Sequence, residues 1–223
     1  MNKHTLILIL FLLPGNIYFI GKTLNHYLKL NKEKHYIQNN YDNYVDEYEI
    51  LNRIYEKSPQ VVFVGDSIIR RYAVEEYFPK KTVVNRGIFH DTSARLYERW
   101  NSTVSTLLPK LTVLMIGTND IINNRDEFIV QNIGKLLDNA PPNSIIVSSI
   151  PPFGSVHCER NEKVLKINKD LKNLVESKKQ FWIDAYFDLL DENGCLSKEL
   201  SSDGIHLNGK GYSILTSHLK KII

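Results

Sequence analysis

From residue 61 onward the chain alternates short apolar runs with longer amphipathic stretches. Val61-Val62-Phe63-Val64 is four consecutive apolar residues, three of them β-branched, as in a strand buried on both faces of a parallel sheet. Residues 82–85, 111–116, 144–150 and 180–184 repeat the pattern. Residues 68–77, 93–107, 125–137 and 159–177 between them predict helices, and 209–222 predicts a closing one. In 159–177, Val164, Ile167, Leu171, Leu174 and Val175 fall on one helical face. Alternation of this kind specifies an α/β fold, a five-stranded parallel sheet with helices on both faces.

Before residue 59 the pattern differs. No charge occurs between Lys3 and Lys22, and the stretch between them is largely apolar. A basic start and such a run read as an export signal or N-terminal anchor over residues 1–21. No small-x-small cleavage site follows. This predicts a membrane-anchored or exported protein that meets the membrane through this segment. Residues 22–58 are polar and Tyr-rich, with Tyr41, Tyr44, Tyr48, Leu51 and Tyr55 at spacings of three and four. They read as a stalk and then a helix docked on the domain, ending before Pro59. The domain itself is 59–223.

Composition narrows the classes. Hydrophobic residues are 43% and charged residues 24%, as in a soluble globular domain. A net charge of +3 with scattered Lys and Arg gives no basic face for nucleic acid. Cys158 and Cys195 lack metal-ligand spacing. They read either as unrelated thiols or, outside the cytoplasm, as a disulfide closing a loop of about 37 residues.

The chemistry sits at strand ends. Gly65 breaks the first strand, and Ser67 falls where the chain turns into a helix. Crevices open at such strand ends, and helix N-termini favour negative charge. Asn85–Gly87 follows the second strand, Asn119 the third, and Asp203 and His206 precede the last helix. Each motif alone is weak; their order and placement give them weight. Serine needs a base, and His206 suits that task near neutral pH. Asp203, three residues earlier, is placed to hold the other ring nitrogen. The Ser67 N–H, a backbone N–H from the turn after the second strand and the Asn119 amide would face a developing oxyanion.

Gly65-Asp66-Ser67, the 85–91 turn, Gly117-Thr118-Asn119-Asp120 and Asp203-Gly204-Ile205-His206 resemble, in order, the motif blocks of the SGNH (GDSL-like) hydrolases. The likeness runs from about Tyr44 to the C-terminus. It lies nearest the branch of platelet-activating-factor acetylhydrolase catalytic subunits and bacterial carbohydrate acetyl esterases. The resemblance implies a three-layer flavodoxin-like fold, no metal or cofactor, and ester hydrolysis through an acyl-serine. By position it makes Ser67 the nucleophile, His206 the base, Asp203 its orienting acid and Asn119 an oxyanion donor. In one place the chain departs from the pattern. His90-Asp91 stands where the family usually has Gly-Asp, whose glycine N–H is an oxyanion donor. His90 keeps an N–H but adds a β-carbon where glycine allows close approach.

His90, Asp91 and Asp120 are thus candidate substrate contacts, with Asp120 alternatively holding its own loop. Arg86 reads as the partner of Asp91 in a salt bridge or as a substrate contact. His157 is a weaker candidate for the crevice rim. His4, His26, His35 and His218 have no evident partner. The predicted activity is a serine esterase removing a short acyl group, foremost acetyl, from a glycan or small molecule. The alternatives are an O-acyltransferase of the same fold acting on an envelope polysaccharide, and an anchored glycan-binding domain without activity.

Overall fold

A computed structural model describes residues 14–223, and the signal or anchor reading of residues 1–13 lies outside the described residues. Helix α1, Pro14–Asn52, is a helix of 39 residues. It stops well short of Pro59. Among the described residues no helix is long and apolar enough to cross a membrane. Tyr44–Ile223 forms a compact unit, distinct from the residues before it. The last turn of α1 is tied to that unit by side chains. Asn52 Nδ2 donates to the Ser102 carbonyl, and its Oδ1 accepts twice from Arg86, at 3.0 and 2.7 Å. Arg86 lies over the Tyr48 and Tyr55 rings. Its partners are therefore in this region, not Asp91.

Five strands follow: β1 Val61–Gly65, β2 Val83–Gly87, β3 Leu111–Met115, β4 Ile145–Ser148 and β5 Phe181–Ile183. They pair in parallel in the order β2-β1-β3-β4-β5, the flavodoxin-like arrangement the resemblance implied. Val62 and Val64 of β1 pack into one core with Leu114, Val147, Leu96 and Leu171. Val61 and Phe63, pointing the other way, join Val113, Ile146, Ile69 and Leu215 in a second core. Both faces are covered, which is why β1 reads as an unbroken apolar run rather than an alternating one.

The first face carries α4 (Ser93–Thr103), α6 (Ile129–Leu137) and α7 (Asn161–Ser177). The second carries α2 (Ser67–Arg70), α3 (Val74–Tyr77) and α8 (Gly209–Leu219). The helix expected over 68–77 is broken in two. Asn85 Nδ2, in the middle of β2, donates to the Ile69 and Tyr72 carbonyls at 2.7 and 3.0 Å, which stops α2 after one turn. A short helix not anticipated, α5 (Thr118–Ile122), begins at Thr118. His218 pairs with Asp188 at 2.7 Å, a partner the sequence did not reveal.

Cys158 and Cys195 form a disulfide. It joins the loop after β4 to the loop that leads into Asp203. The Leu196 N–H donates to the Phe153 carbonyl, and the Gly154 N–H donates to the Gly204 carbonyl at 2.8 Å. A β-carbon on Gly154 would lie 2.6 Å from the Gly204 Cα, so only glycine permits this approach. Opening the bond by reduction should lower unfolding free energy by about 3–4 kcal/mol, from its loop of 37 residues. Denaturant titration with and without reductant checks this, with a Cys158→Ser/Cys195→Ser double variant as control.

Candidate active site

The nucleophile turn is made by local geometry. A β-carbon on Gly65 would fall 1.9 Å from the Met115 carbonyl oxygen, so glycine lets β1 run against β3 and then turn. Asp66 caps α2 through the Ile68 N–H at 2.9 Å, and Ser67 follows as the first helical residue. The Tyr212 hydroxyl donates to the Ile68 carbonyl at 2.6 Å and fixes the turn from below.

Ser67 Oγ lies 2.8 Å from His206 Nε2, and His206 Nδ1 lies 2.7 Å from Asp203 Oδ2. The three residues assigned as the triad are therefore linked in one hydrogen-bonded chain. Asp203 Oδ1 also accepts the His206 and Ile205 N–H groups at 2.8 and 3.0 Å. Partial burial pushes the Asp203 carboxyl up, but these hydrogen bonds and the His206 ring outweigh it and hold the group well below the usual carboxylate range. Arg71 stands 3.7 Å away, half exposed, and adds little through water. Asp203 stays an anion wherever histidine can act as a base. A cavity of about 380 Å³ beyond Asp203 is lined by Gly154, His157, Lys198 and Ser201, which puts His157 beside the triad loop and not at the nucleophile.

The candidate oxyanion side is formed by the turns after β2 and β3. His90 is exposed and sits at φ 61°, the left-handed region that favours glycine, so the turn keeps the backbone shape despite the side chain. Asn119 Nδ2 donates one hydrogen to the Asp91 carbonyl at 2.9 Å, leaving its second for a ligand. Tyr48 of α1 donates to the Gly87 carbonyl at 2.7 Å, and Tyr44 packs its ring 6.3 Å from that of Phe89. The last turns of α1 thus buttress the start of the oxyanion turn.

Asp91 and Asp120 are corrected. Asp91 is fully buried, paired with Arg99 at 2.7 Å, and its partner is not the Arg86 that sequence suggested. Arg99 also donates to the Gly65 carbonyl and to Thr103. Asp120, likewise buried, accepts from the Ser93 N–H and from its hydroxyl at 2.7 Å. Neither carboxylate is open to substrate; both lock the loops that carry His90 and Asn119. Burial pushes both carboxyls up, against the pull of Arg99 and Ser93 respectively. The role of Arg99 was missed, although a signal existed. Ser93, Leu96, Arg99 and Thr103 share one face of α4, all buried, and an arginine on such a face demands a partner.

The profile of the GDSL-like Lipase/Acylhydrolase family matches residues 63–214. Among curated relatives, human platelet-activating factor acetylhydrolase IB subunit alpha2 is 29% identical over 177 residues, covering 75% of this chain and 77% of that one. Among solved structures, a Streptococcus pneumoniae protein named for platelet activating factor superposes with TM-score 0.80 at 26% identity, covering 87% of this chain and 97% of that one. An acetylxylan esterase from Geobacillus stearothermophilus shares the fold with TM-score 0.58 at 18% identity, covering 74% of this chain and 94% of that one. The chain belongs to the GDSL-like lipase/acylhydrolase family and is a carboxylic-ester hydrolase.

The Asp91–Arg99 pair gives a stability prediction. Arg99→Ala should cost about 3–5 kcal/mol by leaving a buried carboxylate unpaired. Adding Asp91→Asn should recover part of that loss. A double-mutant cycle by chemical denaturation reads both.

Proposed function

We propose that this member of the family removes a short acyl group, foremost acetyl, from a glycan or small-molecule ester through an acyl-serine. The observation that carries the reading is the hydrogen-bonded chain from Ser67 Oγ through His206 to Asp203. His206 Nδ1–H donates to Asp203, which leaves Nε2 free to take the Ser67 proton as Oγ attacks the acyl carbon. The proton then passes to the departing alkoxy oxygen. Water, deprotonated by the same nitrogen, attacks the acyl-serine, and the proton passes to Ser67 Oγ as the acid departs. The Ser67 and His90 N–H groups and the second Asn119 amide hydrogen are the donors for the oxyanion. His90 is the one residue of that set whose exposed side chain can also touch the substrate.

Acetyl is supported by the acetylhydrolase relative at 29% identity. An exported or membrane-anchored location is supported by the basic start, the apolar run that follows it and the disulfide. A glycan ester of the cell envelope is the substrate class this location favours.

Hydrolysis of p-nitrophenyl acetate, butyrate and octanoate by the full chain tests the reading. Acetate should be preferred, and Ser67→Ala or His206→Ala should lower kcat/KM by at least roughly 10³-fold. Retained turnover in either variant, or a preference for octanoate, overturns it. Acyl transfer to an added sugar in place of release as free acid would make the protein a transferase.

A further inference from the structure

The steps above leave one ionisable group beside the nucleophile unused. Asp66 is 1% exposed. Its Oδ1 caps α2, whereas Oδ2 is buried without a hydrogen-bond partner among the described residues. The groups around it come from every neighbouring element. Asp91 projects from the turn after β2, Asp120 from α5 and Tyr212 from α8, and each interacts electrostatically with Asp66. Arg99 of α4, a buried cation, is committed to Asp91, the Gly65 carbonyl and Thr103. Asp120 is held by the Ser93 N–H and hydroxyl, which are neutral donors. The Tyr212 hydroxyl spends its hydrogen on the Ile68 carbonyl.

The cluster therefore gathers three buried carboxyls, Asp66, Asp91 and Asp120, of which Asp91 is paired with the Arg99 guanidinium. Ionising Asp66 as well would leave a buried charge with an empty oxygen, a costly state that proteins avoid by keeping a proton. Oδ2 is the atom with room for it. Burial pushes the Asp66 carboxyl up to about 7, with the Ile68 N–H pulling down and Asp91 and Asp120 adding to the rise.

We propose that Asp66 is a positioning residue carried as a neutral carboxylic acid behind the nucleophile, and that its ionisation withdraws activity. The proposal rests on the serine-esterase reading. A charge at Asp66 would stand one residue from Ser67, behind the place where negative charge develops on the substrate, and would oppose the oxyanion donors. It would also pull on the Ile68 N–H that starts α2.

Asp66→Asn copies the neutral acid and keeps the capping oxygen. In wild type, kcat/KM for an acetyl ester should fall toward tenfold per pH unit on the alkaline side. In D66N that limb should move up by at least one pH unit. Stability gives a readout independent of activity. A carboxyl raised in the folded state binds its proton there more tightly than in the unfolded chain, so its contribution is lost as pH rises through the folded value. The melting temperature of D66N relative to wild type should therefore climb by several degrees between pH 5 and pH 8. An unchanged alkaline limb together with a flat melting-temperature gap overturns the proposal. If neither protein hydrolyses esters, the esterase reading fails, and the melting gap still decides this one. Should D66N not fold, infrared spectra of wild type decide. A carboxylic-acid carbonyl band present at pH 6 and gone by pH 9 supports the proposal, and its absence at pH 6 contradicts it.

Discussion

The catalytic end of this fold hangs on the buried ion pair between Asp91 and Arg99. Arg99 reaches the Asp91 carboxylate in the oxyanion turn and the Gly65 carbonyl just before the nucleophile. The Asp91 carbonyl in turn receives the Asn119 amide from the turn after β3. One guanidinium thus ties the strand ends of β1 and β2 together, and β3 joins through one further hydrogen bond. Such a pair is poor at raising net stability, because desolvating two charges costs about what their attraction returns. Its value is geometric. Three loops from three strands are held in register, and each loop carries one part of the proposed oxyanion site.

The triad depends on a second, separate brace. Asp203 and His206 lie on a loop after the last strand, which no sheet hydrogen bond fixes. The disulfide, the Phe153–Leu196 hydrogen bond and the Gly154–Gly204 contact hold this loop against the one after β4. Asp203 then accepts two backbone N–H groups of its own loop and offers the remaining oxygen to His206. A carboxylate so held is fixed both in charge and in direction, which in turn selects the tautomer of His206.

Much of this was legible in the chain. Both faces of the sheet are covered, so β1 appeared as a continuous apolar run and β3 and β4 as mostly apolar ones, and the alternation with helices followed. Ser67, Asp203 and His206 were readable because strand ends and the last loop are the places from which a parallel sheet can gather them. Polar side chains that act inside the core were not readable. Asn85 splits a helix by bonding two of its carbonyls, and nothing in the apolar pattern of 68–77 records that. Asp91 and Asp120 resembled substrate contacts because burial is invisible in a motif. Their partners, Arg99 and Ser93, are set by packing across the first face of the sheet. The left-handed backbone at His90 belongs with these: the sequence shows a β-carbon, and only the fold shows the conformation that it must tolerate.

In the proposed reaction Ser67, activated by His206, carries the acyl group. The most direct measurement is to locate the covalent adduct by mass spectrometry after treatment with a fluorophosphonate. One adduct is expected, on Ser67, formed far more slowly in His206→Ala. An adduct on another serine, or equal labelling without His206, would contradict it.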